Sequence, residues 1–202
     1  MKLNFQRLAN LLALTVVTAL GVTLAASAQG PRGGLRLIST SFAAGANLPV
    51  AHTCDGAGTS PGLRWSGAPR GTRSFVLVLF DPNARPPIGF VHWVIYDLPA
   101  TVHALPSGRY TEAKLPNGGV DGDNGARRSG FTPPCPPAGP AHHYTFTLYA
   151  LRVPTLGLAP GASRDQVLAA MKGKVLAQAQ LIGLYAGHNR PGRGRRGPGR
   201  RR

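Results

Sequence analysis

The sequence predicts a mainly β domain with long loops and one or two helices near its C-terminus. Residues 74–80 and 90–96 are runs of apolar β-formers in which Ser74 and His92 are the polar members, and residues 143–151 return to β-formers. The stretches between them are crowded with Gly, Pro, Ser and Asn, which read as turns and short strands. Only one helix start is strongly marked, at Ser163-Arg164-Asp165-Gln166, where Ser at the cap is followed three residues later by Gln.

The chain has 202 residues, and its two ends read as lying outside the fold. Lys2 and Arg7 precede an apolar run over residues 8–24, which ends in Ala26-Ser27-Ala28. That is the pattern of a signal peptide over residues 1–28, with cleavage expected before Gln29. The alternative is an uncleaved anchor, since the run is nearly long enough to span a bilayer. Residues 29–34 form a short Gly/Pro linker, and the domain is expected over residues 35–186. Residues 187–202 carry seven arginines, no acid and almost nothing apolar. Such a segment buries too little surface to offset its ordering entropy, so it reads as a disordered tail. Much of the formal net charge of +16 therefore sits at the ends, leaving the domain only moderately basic.

Within the domain, residues 35–38 look like a first strand and residues 63–65 like a short apolar island. The run at residues 74–80 is apolar at every position after Ser74, as for a strand buried on both faces. Residues 97–141 read as loop, with turn signals at Asn117-Gly118 and Asn124-Gly125. After the capping box, Val167, Met171, Val175, Ala179 and Ile182 recur at helical spacing, with Gly173 weakening the helix or splitting it in two.

The chain contains two cysteines, Cys54 and Cys135. In an exported domain two cysteines usually pair; the alternative is two buried thiols.

Three segments carry chemistry: Asp81-Pro82-Asn83-Ala84, Phe90-Val91-His92-Trp93, and Cys135-Pro136-Pro137-Ala138-Gly139 followed by His142-His143-Tyr144. Strand alternation puts His142 and Tyr144 on the face of Phe146 and Leu148, and His92 on the face of Phe90, Val94 and Tyr96. An imidazole among apolar neighbours needs a hydrogen-bond partner, and Asp81 at a strand end is a candidate. One carboxylate, two imidazoles and a phenol could together hold an oxyanion through donated hydrogen bonds.

These segments resemble the two signature blocks of the phosphatidylethanolamine-binding protein family, in its bacterial Raf-kinase-inhibitor-like branch. The first block reads Asp81-Pro82-Asn83-Ala84-Arg85, then His92-Trp93. The second reads Gly130-Phe131-Thr132-Pro133-Pro134-Cys135-Pro136-Pro137-Ala138-Gly139, then His142-His143-Tyr144. Thr53-Cys54-Asp55-Gly56, Ser60-Pro61-Gly62-Leu63-Arg64-Trp65 and Tyr149-Ala150-Leu151 extend the likeness along the whole domain. The resemblance implies a large antiparallel sheet packed with a smaller one. It also implies a ligand-binding pocket for a phosphate-like anion at Asp81, His92, His142 and Tyr144, with Cys135 and Pro137 in one wall. Three departures bear on it: Asn83 stands where the family has a second Asp, Arg85 where it has Pro, and Phe131 and Pro133 where it has Tyr and Gly.

The functional expectation is an exported, non-enzymatic binding protein for a small phosphate-bearing or other anionic ligand such as a phospholipid headgroup, with an inhibitory or regulatory role toward a partner protein as in other members. No cofactor, metal or specific nucleic acid is expected. Ligand affinity should fall as pH rises through about 6–7, where histidine ordinarily loses its proton. A serine hydrolase is the first rival, since Gly58-Thr59-Ser60-Pro61-Gly62 fits Gly-x-Ser-x-Gly. Pro61 cannot supply the backbone N–H that a nucleophile elbow uses, and no helix pattern comes after it. A metal hydrolase is the second, but the spacing offers no paired ligands, and His142 and His143 point to opposite faces of a regular strand. The third is an envelope protein acting through residues 187–202 on an anionic membrane surface.

Overall fold

The computed structural model describes residues 34–108 and 118–188. The signal peptide and its cleavage site, nearly all of the linker, Asn117 and the tail beyond His188 lie outside the described residues. The strands are β1 (Arg36–Ser39), β2 (Leu63–Ser66), β3 (Ser74–Asp81), β4 (Phe90–Pro99), β5 (Ala104–Leu105), β6 (Val120–Asp121), β7 (His142–Leu151) and β8 (Val175–Tyr185). The α-helix among the described residues is α1 (Arg164–Met171), and residues Val50–His52 form a 3-10 turn.

The strands form two antiparallel sheets, a small one in the order β1-β2-β5 and a large one in the order β6-β4-β3-β7-β8. Leu37, Leu63, Trp65 and Leu105 of the small sheet pack against Phe75, Leu77, Leu79, Trp93, Ile95, Phe146 and Leu148 of the large one. The other face of the large sheet carries Val76, Val78, Val94 and Tyr96, covered by Leu156, Ala162 and the α1 residues Val167 and Met171. The central strand β3 is therefore buried on both sides, which explains its unbroken apolar sequence.

The helical reading of residues 175–182 is overturned. The capping box is present: Ser163 Oγ accepts from Gln166 N–H, and Gln166 Oε1 accepts from Ser163 N–H. The helix ends at Met171, and Gly173 turns the chain with φ +71°. The chain then enters β8, paired with β7 from Val175 opposite Leu151 to Tyr185 opposite His142. The segment also alternates: Ala177, Ala179, Leu181 and Tyr185 meet the core, while Gln178 and Gln180 lie between them. Apolar residues dense enough to satisfy a period of 3.6 also satisfied a period of 2, and backbone pairing with β7 decided between them.

Strand alternation fails in β4 as well. Leu79 pairs with Trp93 and Phe80 with Val91, so His92 is an extra residue opposite a single step of β3. This bulge re-aims the side chain. His92 meets Tyr144, on the side of Trp93 and Ile95, and not Val94 and Tyr96, which belong to the other face.

Asp121, at the end of β6, is wholly buried. Its Oδ1 accepts from Trp93 Nε1–H at 2.8 Å, and its Oδ2 has no partner among the described residues. Burial pushes this carboxyl up to about 7, with the Trp93 bond opposing the shift. Between the ordinary carboxylate range and pH 7 the folded protein keeps a proton that the unfolded chain releases, so stability falls as pH rises through that window. Asp121→Asn keeps the Trp93 acceptor and removes the ionisable group. The variant should be more stable than the parent at pH 8, by up to about 4 kcal/mol, and no more stable at pH 4. Urea unfolding at the two pH values checks this; a parent whose stability does not fall between them would refute it.

Candidate functional site

The site forms where the C-terminal end of β3, the β4 bulge and the start of β7 converge. A cavity of about 530 Å³ opens there, lined by Asp81, Phe90, His92, Cys135, His142 and Tyr144, with Pro136 and Pro137 in its wall. The structure thus brings together all the residues that the sequence singled out for the pocket.

Asp81 is the organiser. It is 1% exposed, which is costly for a carboxylate unless its lone pairs are filled. Oδ1 accepts from the backbone N–H of Asn83 and of Ala84, at 2.8 and 3.1 Å, in the local turn that Asp-x-Asn sequences favour. Oδ2 accepts from His142 Nδ1–H at 2.7 Å. Tyr144 hydrogen-bonds the same carboxylate; burial first, then the charge of Asp81, push its phenol well up, so it stays protonated. The carboxylate is spent on four donors, which removes the difficulty of placing an acid beside an anion site.

The two imidazoles are set in complementary ways. His142 gives its Nδ1–H to Asp81. His92 gives its Nδ1–H to the Thr132 carbonyl at 2.8 Å, an acceptor that fixes the tautomer. Each ring therefore has Nε2 to offer a ligand. Burial lowers the His92 pKa, with His142 as a smaller contribution in the same sense, against the Thr132 bond and the charge of Asp81. His92 is thus neutral at pH 7. Phe90 and Tyr144 hold it edge-on, with ring centroids 4.8 and 5.2 Å away.

The wall is tied down from outside. Cys54 and Cys135 are joined by a disulfide, Cα atoms 5.3 Å apart, and Cys54 N–H donates to the Pro134 carbonyl. Gly187 passes so close that a β-carbon there would lie 2.0 Å from the Pro136 carbonyl oxygen. Next to Gly187, His188 has its Nδ1 3.5 Å from Asp55 Oδ2, so these first two residues of the expected tail make contacts with the domain.

Three of the residues that depart from the family pattern make contacts that the sequence did not foretell. Asn83 Oδ1 accepts from the His143 backbone N–H at 2.8 Å, tying the loop after β3 to β7. Arg85, with φ +46°, places its guanidinium 5.9 Å from the centre of the Phe90 ring. Phe131, where the resemblance expects Tyr, packs edge-on against Trp93. The Asp-x-Asn turn signal could have identified the first anchor, whereas the Thr132 carbonyl leaves no mark in side-chain identity.

The rival chemistries find little support in this geometry. Ser60 is fully buried, pairs through its backbone with Gly108, and does not line the cavity. His143 does not line the cavity, and its Nδ1 lies 3.1 Å from Asn83 Oδ1. Among the described residues no three His, Cys, Asp or Glu side chains gather as a metal site, and no helix is long and apolar enough to cross a membrane.

Residues 38–186 match the phosphatidylethanolamine-binding protein family. A UPF0098 protein of Aquifex aeolicus is 45% identical, over 75% of this chain and 88% of its own length. LppC of Mycobacterium tuberculosis, whose name calls it a lipoprotein, is 39% identical over 84% of this chain and 80% of its own. The crystal structure of Escherichia coli YbcL, named as a member of the mammalian PEBP family, superposes with a TM-score of 0.70 at 34% identity, covering 76% of this chain and 99% of that one. The superposed fold and the matched span agree, and the chain belongs to the phosphatidylethanolamine-binding protein family.

Proposed function

We propose that this chain is an exported, non-enzymatic binding protein whose pocket takes a small phosphate-bearing anion, free or as a phospholipid headgroup. One observation carries the reading: both imidazoles spend Nδ1 on protein acceptors and keep Nε2 for a ligand, beside an aspartate already filled by donors. The arrangement holds no exposed nucleophile; it positions hydrogen bonds. Export is supported by the leader-like N-terminus and by the relative named as a lipoprotein. The same pocket, loaded or not, could mark the protein for a partner that it regulates.

The pocket sets a proton requirement. Neutral His92 Nε2 accepts a hydrogen bond, which suits a phosphate that still carries a P–O–H. A fully ionised phosphate instead requires a histidine to take up a proton. Either way the complex holds more protons than the separated partners at neutral pH, so affinity falls as pH rises. Phosphate's own second ionisation places the loss near and above about pH 6, and burial, by lowering the His92 pKa, makes proton uptake by that ring costlier in the same direction. Calorimetry with a phosphomonoester at pH 5.5, 7 and 8 should show affinity falling by up to about tenfold per unit. Repeating it in buffers of different ionisation heat should show proton uptake. Equal affinity across this range would defeat the reading.

A further inference from the structure

The lip of the pocket has an unusual composition. Ile88 is 79% exposed, the largest value for a large hydrophobic side chain among the described residues. It stands at the tip of the loop between β3 and β4, next to Pro86 and Pro87. This tip is held in place: Ile88 N–H donates to the Arg85 carbonyl, Asp81 caps the loop's first turn, and Asn83 anchors it to β7. At its far end Gly89 (φ +74°) lies where a β-carbon would be 2.1 Å from the Phe80 ring. The fold therefore presents an isoleucine to solvent on a fixed support.

Cations surround it. Arg85, Arg127 and Arg164 line, with Ile88 and Phe90, a cleft of about 330 Å³ that shares Arg85 and Phe90 with the anion pocket. Arg164 lies over the Phe80 ring at 4.4 Å and is 3.6 Å from Asp165. Asp123, the other acid of the cleft, accepts from the Ser129 hydroxyl. Arg85 and Arg127 make no ion pair among the described residues.

We propose that this lip is a docking surface for an anionic lipid bilayer, with Ile88 entering the headgroup–acyl boundary and Arg85 and Arg127 resting on lipid phosphates. A single exposed apolar side chain gives marginal membrane affinity, and basic residues beside it supply the second signal that stable attachment requires. Charge complementarity selects the occupant: unpaired arginines flanking an apolar tip suit an interface that is anionic outside and apolar within. The docking builds on the phosphate reading, because the cleft that carries Ile88 shares Arg85 and Phe90 with the anion pocket.

The test must separate this surface from the arginine-rich tail, which can hold anionic vesicles by itself. Ile88→Trp in the full chain does so. Trp65 and Trp93 are 4% and 0% exposed, so a tryptophan at position 88 reports almost alone on a change of medium. With vesicles of phosphatidylglycerol and phosphatidylcholine, its emission should move to the blue and be quenched by brominated acyl chains. Pure phosphatidylcholine vesicles should produce neither effect. Adding Arg85→Gln and Arg127→Gln should lower the apparent affinity of the inserted state by about tenfold or more. Co-sedimentation with vesicles while the position-88 emission stays unchanged would assign attachment to the tail and overturn the proposal. A blue shift without vesicles that grows with protein concentration would assign the surface to a second copy and also overturn it. Phosphomonoester binding, measured separately in solution, reports on the pocket: binding there without insertion refutes the docking alone, and insertion without binding refutes the pocket reading alone.

Discussion

Replacing Asp81 with alanine should abolish phosphomonoester binding and destabilise the domain by about 3–5 kcal/mol, as for other buried charges stripped of a partner. Four donors converge on this carboxylate, from Asn83 N, Ala84 N, His142 Nδ1 and the Tyr144 phenol. At 1% exposure the parent carboxylate relies on these protein donors and hardly on bulk water. The loop after β3 would lose its first turn, and His142 the acceptor that orients its ring. Asp81→Asn separates the structural part from the electrostatic part. It keeps the volume and one acceptor oxygen, so the backbone N–H groups stay paired and the stability loss should shrink to about 1–2 kcal/mol. If its amide nitrogen faces His142, Nδ1 must accept, and Nε2 then carries the proton in the neutral ring. His142 could donate to an anion without first being charged, so phosphate affinity should survive with a weaker pH dependence. Denaturant unfolding and calorimetry on both variants check this. An alanine variant that unfolds within about 1 kcal/mol of the parent would show that Asp81 does not hold the site together.

The parts of this molecule that sequence made legible are those in which one physical demand dominates. β3 is buried on both faces, so burial alone dictated its residues. β7 alternates apolar and polar residues from Tyr144 to Leu148, with Tyr144, Phe146 and Leu148 in one core, so period-two reading alone places His142 and Tyr144 on one side. The Ser163–Gln166 box marked α1 because capping is a local contract between two side chains and two backbone groups. Legibility failed where a distant partner decided. Residues 175–182 fitted a helix until β7 supplied backbone partners along their whole length. The β4 bulge depends on the register of β3 and turned His92 to the face that strict alternation denied it. β5 and β6 are two residues long each and exist only through their neighbours. The acceptor that fixes the His92 tautomer is a carbonyl, and every residue has one.

Removing the disulfide should produce the other large effect. Cys54 and Cys135 are 81 residues apart, so the bond closes two of the three strands of the small sheet and three of the five of the large one into a single loop. In the chain-entropy model, opening a loop of that length costs about 4–5 kcal/mol, because the unfolded chain regains the freedom that the bond denied it. For a domain of this size the melting temperature should fall by roughly 8–20 °C in the Cys54→Ala/Cys135→Ala variant, or in the parent under reductant. The binding consequence should be smaller than the stability consequence. The wall carrying Pro136 and Pro137 keeps its other ties, since Cys54 N–H still reaches the Pro134 carbonyl, Thr132 N–H donates to the His92 carbonyl, and Gly187 lies against Pro136. Below its lowered melting point the reduced protein should therefore bind a phosphomonoester within about threefold of the oxidised form. Melting followed by circular dichroism, with calorimetry at a temperature where both forms are folded, separates the two quantities. If reduction left the melting temperature unchanged, the long-loop argument would fail. If it abolished binding in a folded protein, the bond would be shaping the pocket wall itself and the backbone ties would be insufficient.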